Sequence, residues 1–238
     1  MLLRARTIPL FAFYTGLVAV STLIFTVYVP ATRGYFNIGE SAVYIVALLA
    51  GPYAGAFAGG VGSMIADLIL GYFFFAPATL VIKGVEGGVL GLLASRRPQL
   101  TPRYWRLLSL LVGVVLSSSV YLLGTAYYVG TSEISFGLPG FGTSFTVNMT
   151  HALWALVGLV AGAIVVLISF ITRPEVGWLV LSAAASGFLM VLGYYLYEEF
   201  VLGYVALAEV PFNVGQVLVG IIIAIPAYNS LRALQRTK

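Results

Sequence analysis

The sequence predicts an all-α integral membrane protein of about eight transmembrane helices, with both termini cytoplasmic. Three observations carry this. Of 238 residues, 61% are hydrophobic and only 8% charged, against about 25% charged in soluble domains. Apolar runs of about 20 residues recur, each long enough to cross a bilayer. The arginines gather between and beyond these runs, as the positive-inside rule requires.

The segments follow in order. Helix 1 is expected over 9–29, a retained span without a clear signal-peptide cleavage site. Helix 2 runs from about Gly39 to the Gly51-Pro52 break, too short to cross a bilayer upright. Helix 3 covers 52–72 and helix 4 covers 77–95. Helices 5 (107–129) and 6 (145–171) are joined by a Gly/Ser-rich loop, 130–143. Helices 7 (176–201) and 8 (210–231) complete the chain. With the N-terminus inside, the inner ends hold Arg4, Arg6, Arg96, Arg97, Arg103, Arg106, Arg173, Arg232, Arg236 and Lys238. Arg33 alone of the loop arginines falls outside. The layout, set by basic residues, also collects most of the acids and amides in the outer half.

Several chemistries are excluded. There is no cysteine, so disulfides, thiolate metal sites and cysteine nucleophiles are absent. The net charge of +4 is spread over helix ends and is no nucleic-acid footprint. No ATP-binding or hydrolase motif occurs. With one histidine, His151, no standard zinc site forms, and neither metal nor cofactor is expected.

Charges inside an apolar span are expensive and by default mark a site. Glu209, Asn213, Gln216 and Gly220 are spaced four, three and four, so they share one face of helix 8. Such a face suits a heterocycle with several nitrogens and carbonyls, or else bonds a neighbouring helix. Tyr194, Tyr197 and Glu198 share a face of helix 7 and fit either a flat, cationic ligand or an interfacial aromatic belt. Lys83 and Glu86 are one turn apart, as a local ion pair or a binding pair. Asp67 is a candidate partner for Lys83. Glu40 is expected to complement the dipole at a helix start. Glycines and alanines at helical spacing in helices 3 and 4 predict close helix packing.

The run from Phe36 to Leu93, with NIGESAVY, ALLAGPYAGAFAGGVGSMIAD and FAPATLVIKGVEG, and the later EVPFNVGQVLVG from Glu209 to Gly220 resemble the substrate-binding S components of energy-coupling factor (ECF) vitamin transporters. The resemblance implies a six-helix bundle that captures a vitamin or precursor from the outer face. It also implies partners: a transmembrane T subunit and two ATP-binding subunits, whose ATP hydrolysis topples the S component in the plasma membrane. Carried over, the substrate-binding positions are Lys83, Glu86, Tyr194, Glu198, Asn213 and Gln216, with Glu40, Asp67 and Glu209 in support. Ala12 and Gly16 stand where the family carries an Ala-x-x-x-Ala contact with the T subunit. Residues 1–100 and 174–238 then form the S-component-like core of a single membrane domain, and 101–173 an inserted transmembrane hairpin. The expected role is capture of a thiamine-like, flavin-like, pyridoxine-like or pyrimidine solute, without enzymatic activity. The alternatives are an intramembrane enzyme using His151 with Glu133 or Asp67 on a lipid-linked substrate, and a structural membrane subunit.

Overall fold

The computed structural model describes residues 2–29, 33–96, 98, 101–127, 129–138, 141–171, 173–204 and 206–236. Residues 2–7, 28–29, 123, 127, 131–138, 141–147, 168, 208 and 235–236 are described by backbone alone. Arg97 and Lys238 lie outside this set, as do the side chains of Arg4, Arg6 and Arg236. The described helices are α1 (Leu2–Ile24), α2 (Gly39–Leu70), α3 (Ala76–Arg96), α4 (Pro102–Tyr127), α5 (His151–Ile171), α6 (Pro174–Tyr197) and α7 (Val210–Arg236). Six of these are long and apolar enough to span a bilayer, and Ile8–Ile24 of α1 is a shorter apolar stretch. The protein is thus an all-α membrane protein, with two small antiparallel hairpins, β1 (Thr26–Val29) with β2 (Gly34–Asn37) and β3 (Gly130–Leu138) with β4 (Phe141–Met149). The chain forms two compact units, Met1–Pro98 with Trp178–Lys238, and Gln99–Gly177.

In the first unit, α2 is two antiparallel arms. Gly51 has φ 83° and ψ −172°, a conformation open to glycine and not to residues with a Cβ, and Pro52 then opens the second arm. A straight helix would hold Glu40 and Asp67 about 40 Å apart, yet both line one cavity. The break falls where the sequence predicts the join of helices 2 and 3. Gly71 (φ 86°) ends α2 in a left-handed cap, with the Tyr72 N–H donating to the Asp67 carbonyl at 2.8 Å.

The second arm of α2 packs on α3 at backbone distance. A Cβ placed on Gly55 would stand 2.5 Å from the Gly87 carbonyl oxygen, and one on Gly59 2.8 Å from that of Lys83. Small residues replace side-chain packing with direct backbone contact, as membrane helices commonly do. Helix α6 lies antiparallel to α3: Trp178 Nε1 donates to the Leu93 carbonyl at 2.8 Å near one end, and Tyr194 Oη to Thr79 Oγ1 at 2.9 Å near the other. Phe75, Met190, Tyr194 and Val217 form a buried cluster joining α6 and α7 to the start of α3. Exposed apolar residues such as Phe13, Phe188 and Ile222 face outward, as lipid-facing residues do.

The second unit pairs α4 with α5. Ser117 Oγ donates to the Gly158 carbonyl at 2.7 Å, and a Cβ on Gly113 would stand 2.9 Å from the Gly162 oxygen.

Four expectations need correcting. Helix 1 ends at Ile24, because Thr26–Val29 is β-branched and aromatic and pairs with Gly34–Asn37. The expected loop 130–143 and the start of helix 6 are instead the β3–β4 hairpin, in register from Gly130↔Met149 to Leu138↔Phe141. Helix 7 becomes a π-turn at Glu198–Leu202, closed by Gly203 at φ 68°. Helix 8 runs on to Arg236.

The α2–α3 contact yields a prediction. Gly87→Val should destabilise the protein by about 1–3 kcal/mol through forced separation of the two backbones. Gly84→Ala, whose Cβ meets its nearest neighbour at 3.4 Å, should be near neutral. Thermal unfolding of the two variants in detergent distinguishes them.

Candidate functional site

A cavity of about 30 Å³ lies in the first unit, walled by Thr22, Gly34, Tyr35, Asn37, Glu40, Ser63, Asp67, Phe75, Thr79, Lys83, Tyr194, Glu209, Asn213 and Gln216. The walls come from the end of α1, the β1–β2 hairpin, both ends of α2, the first turns of α3 and α7, and the end of α6. The fold-back at Gly51 is what brings the two ends of α2 together here.

Lys83 is its central charge. Its ammonium donates to Glu40 Oε2 and, at 3.2 Å, to Glu86 Oε2. Lys83 is 5% exposed, Glu40 1% and Glu86 0%. Tyr44 Oη lies 3.1 Å from Glu86 Oε1 and 3.3 Å from the Ala183 carbonyl, tying this network to α6. The partner of Lys83 is therefore Glu40 rather than Asp67. Asn37 Oδ1 takes the Gly39 N–H at 2.9 Å, a local bond just ahead of the helix, while the Glu40 side chain reaches the ammonium.

Asp67 instead accepts from Tyr35 Oη at 2.6 Å, a bond from the hairpin to α2. Burial and the neighbouring Asp67 carboxylate push the Tyr35 phenol above its ordinary range, so it remains a donor at physiological pH. On α7, Gln216 Nε2 donates to Asn213 Oδ1 at 3.0 Å. Glu209 lies against Gly34, where any Cβ would collide with its carboxylate. Glu198 is fully buried and faces Glu209 behind the wall. Tyr197 turns away to donate to the Phe74 carbonyl at 2.5 Å.

Seven residues singled out from sequence thus line one cavity: Glu40, Asp67, Lys83, Tyr194, Glu209, Asn213 and Gln216. Glu86 and Glu198 stand one layer behind. Sequence reasoning missed Tyr35, Thr79, Ser63 and Thr22. Tyr35 had no helical periodicity to mark it, and the hydroxyl residues look alike at any helix contact. Ala12 and Gly16 line a separate apolar groove of about 700 Å³ with Ile8, Phe11, Thr15, Ala19, Phe57 and Ile65. His151 is exposed at the start of α5, and the Glu133 side chain lies outside the described residues. Among the described residues, no cluster of three or more His, Cys, Asp or Glu could hold a metal.

Residues 3–168 match the family described as the ECF-type riboflavin transporter, S component. The chain belongs to this family. It is a substrate-binding subunit for vitamin transport, a multi-pass protein of the plasma membrane and not an enzyme. The family works with T and ATPase subunits. The match continues into the second unit and stops before α6 and α7. An uncharacterised protein in a gap 3′ region of Pyrococcus woesei is 38% identical over 140 residues, 59% of this chain and 87% of that one.

The buried charge network can be tested alone. Lys83→Met strands two carboxylates in the bundle and should cost about 3–5 kcal/mol. Adding Glu40→Gln to that variant should restore part of the loss. Thermal unfolding of the single and double variants reads both effects.

Proposed function

We propose that this chain captures a flat, hydrogen-bonding vitamin or vitamin precursor in the Lys83–Asp67–Gln216 cavity and delivers it for ATP-driven uptake. The carrying observation is a buried polar cavity walled by six elements of an otherwise apolar unit. Lys83, Tyr194, Asn213 and Gln216 contact the solute, with Glu40, Asp67 and Glu209 beside them. Glu86 and Glu198 hold the contacting groups from behind. Riboflavin, the solute in the family's name, is one candidate.

At about 30 Å³ the cavity has room for one water molecule, whereas organic ligands occupy about 300–1,000 Å³. Capture therefore requires the walls to part. The β1–β2 hairpin, which supplies Gly34, Tyr35 and Asn37, is the wall not built into a long helix, and it is the one that moves.

The cavity faces outward and the termini are cytoplasmic, a reading supported by the arginines beyond the opposite helix ends. Residues 1–100 and 174–238 act as the S-component core and 101–173 as an inserted hairpin; the division of the chain into two compact units supports this. The T subunit docks on the α1 groove at Ala12 and Gly16, and two ATPases complete the transporter.

Asn213→Ala should leave the protein folded and inserted while weakening solute binding about tenfold or more, consistent with about 1–2 kcal/mol for one buried hydrogen bond. A thermal-stability screen against vitamins, where a ligand at about a thousandfold over Kd adds about 4 kcal/mol, identifies the solute on which to measure this. Unchanged affinity would place the solute elsewhere. Recovery of the ATPase subunits with the tagged protein tests the transporter assembly.

A further inference from the structure

The cavity wall holds three buried acceptors that lack a donor. Glu40 Oε1, Asp67 Oδ2 and Gln216 Oε1 are buried without a hydrogen-bond partner, and all three residues line the cavity. Each residue is at most 3% exposed, so bulk water does not serve them. The Gln216 amide nitrogen gives one N–H to Asn213 Oδ1, and its oxygen is left without a donor. All three atoms are acceptors. A solute that satisfies them must bring donors.

The wall is one-sided in charge. Glu40, Asp67 and Glu209 line it, and Lys83 is the sole basic side chain among the described lining residues. That ammonium is already shared between Glu40 and Glu86. Tyr35, Phe75 and Tyr194 add aromatic faces to the same wall. Tyr72 extends them, its ring centroid 4.5 Å from that of Tyr35. Carboxylates beside aromatic faces recognise cations.

Building on the capture reading above, we propose that this site selects a cationic heterocycle bearing amino or ring N–H donors, and that it rejects phosphorylated and carboxylate analogues. The cation supplies the positive charge that Lys83 alone does not, and its donors meet the three stranded acceptors. A phosphate would add negative charge and further acceptors to a wall that already has both.

The test measures Kd for the full-length protein in detergent with five probes. Thiamine and pyridoxamine are cations with amine donors. Riboflavin is the neutral reference, and thiamine monophosphate and riboflavin phosphate are the phosphorylated probes. One of the two cations should bind at least about tenfold more tightly than riboflavin, and each phosphorylated form at least about tenfold more weakly than its parent. Asp67→Asn keeps an oxygen for Tyr35 while removing the charge. It should weaken the cation about tenfold more than it weakens riboflavin. If that variant fails to fold, the five-probe comparison on the unaltered protein decides. Riboflavin binding more tightly than both cations, or phosphorylated forms binding as well as their parents, overturns the selectivity and leaves capture standing. No binding by any probe overturns the selectivity and removes support from capture as well.

Discussion

A buried ammonium between two buried carboxylates is the constraint on which the rest of the first unit depends. An unpaired charge in an apolar bundle costs several kcal/mol, and the pairing here is tight enough to compensate only if Glu40, Lys83 and Glu86 arrive together. Glu40 comes from the first turn of α2, and Lys83 and Glu86 from the middle of α3. Tyr44 then carries the network to α6 through the Ala183 carbonyl. The charged cluster therefore fixes the register of α2 against α3 and α6, and it gives the cavity its rigid side.

The glycines are the other half of that arrangement. Gly51 lets α2 reverse, which places Asp67 beside Glu40 despite 26 intervening residues. Gly55 and Gly59 allow the returning arm to lie on the α3 backbone near Gly87 and Lys83. A bulkier seam would move Lys83 away from Glu40 and undo the ion pairs. Backbone packing and site electrostatics are thus one structural unit. The hairpin side of the cavity is held differently, by the Tyr35–Asp67 hydrogen bond and the contact of Glu209 with Gly34. One side is tied by charges within helices and the other by a short hairpin.

Much of this was legible in sequence because membrane burial makes polar residues conspicuous. Lys83, Glu86 and Asp67 stand out in an apolar run, and the spacing of Glu209, Asn213 and Gln216 already put them on one face. The Gly51-Pro52 break was visible for the same reason, since few residue pairs interrupt an apolar helix so sharply. The partner of Lys83 was not legible. Which of Glu40 and Asp67 reaches it depends on where the helix ends fall in three dimensions, and Asp67 is taken by Tyr35 of the hairpin. The hairpins were missed for a different reason. Ile134, Phe136 and Leu138, and Phe145, Val147 and Met149, alternate with other residues at period two, a strand signal that the Gly and Ser content of the segment obscured. Thr26–Val29 was absorbed into helix 1 because four residues at a helix end, three of them apolar, carry no period of their own.

The most direct measurement is a structure of the protein with a stabilising vitamin-like solute bound. The account predicts the solute among Asp67, Lys83, Tyr194, Asn213 and Gln216, in a cavity widened to about 300 Å³ or more. Lys83 should still rest on Glu40 and Glu86, and the β1–β2 hairpin should have moved. A solute bound elsewhere with this cavity still closed, or one that separates Lys83 from both carboxylates, would contradict it.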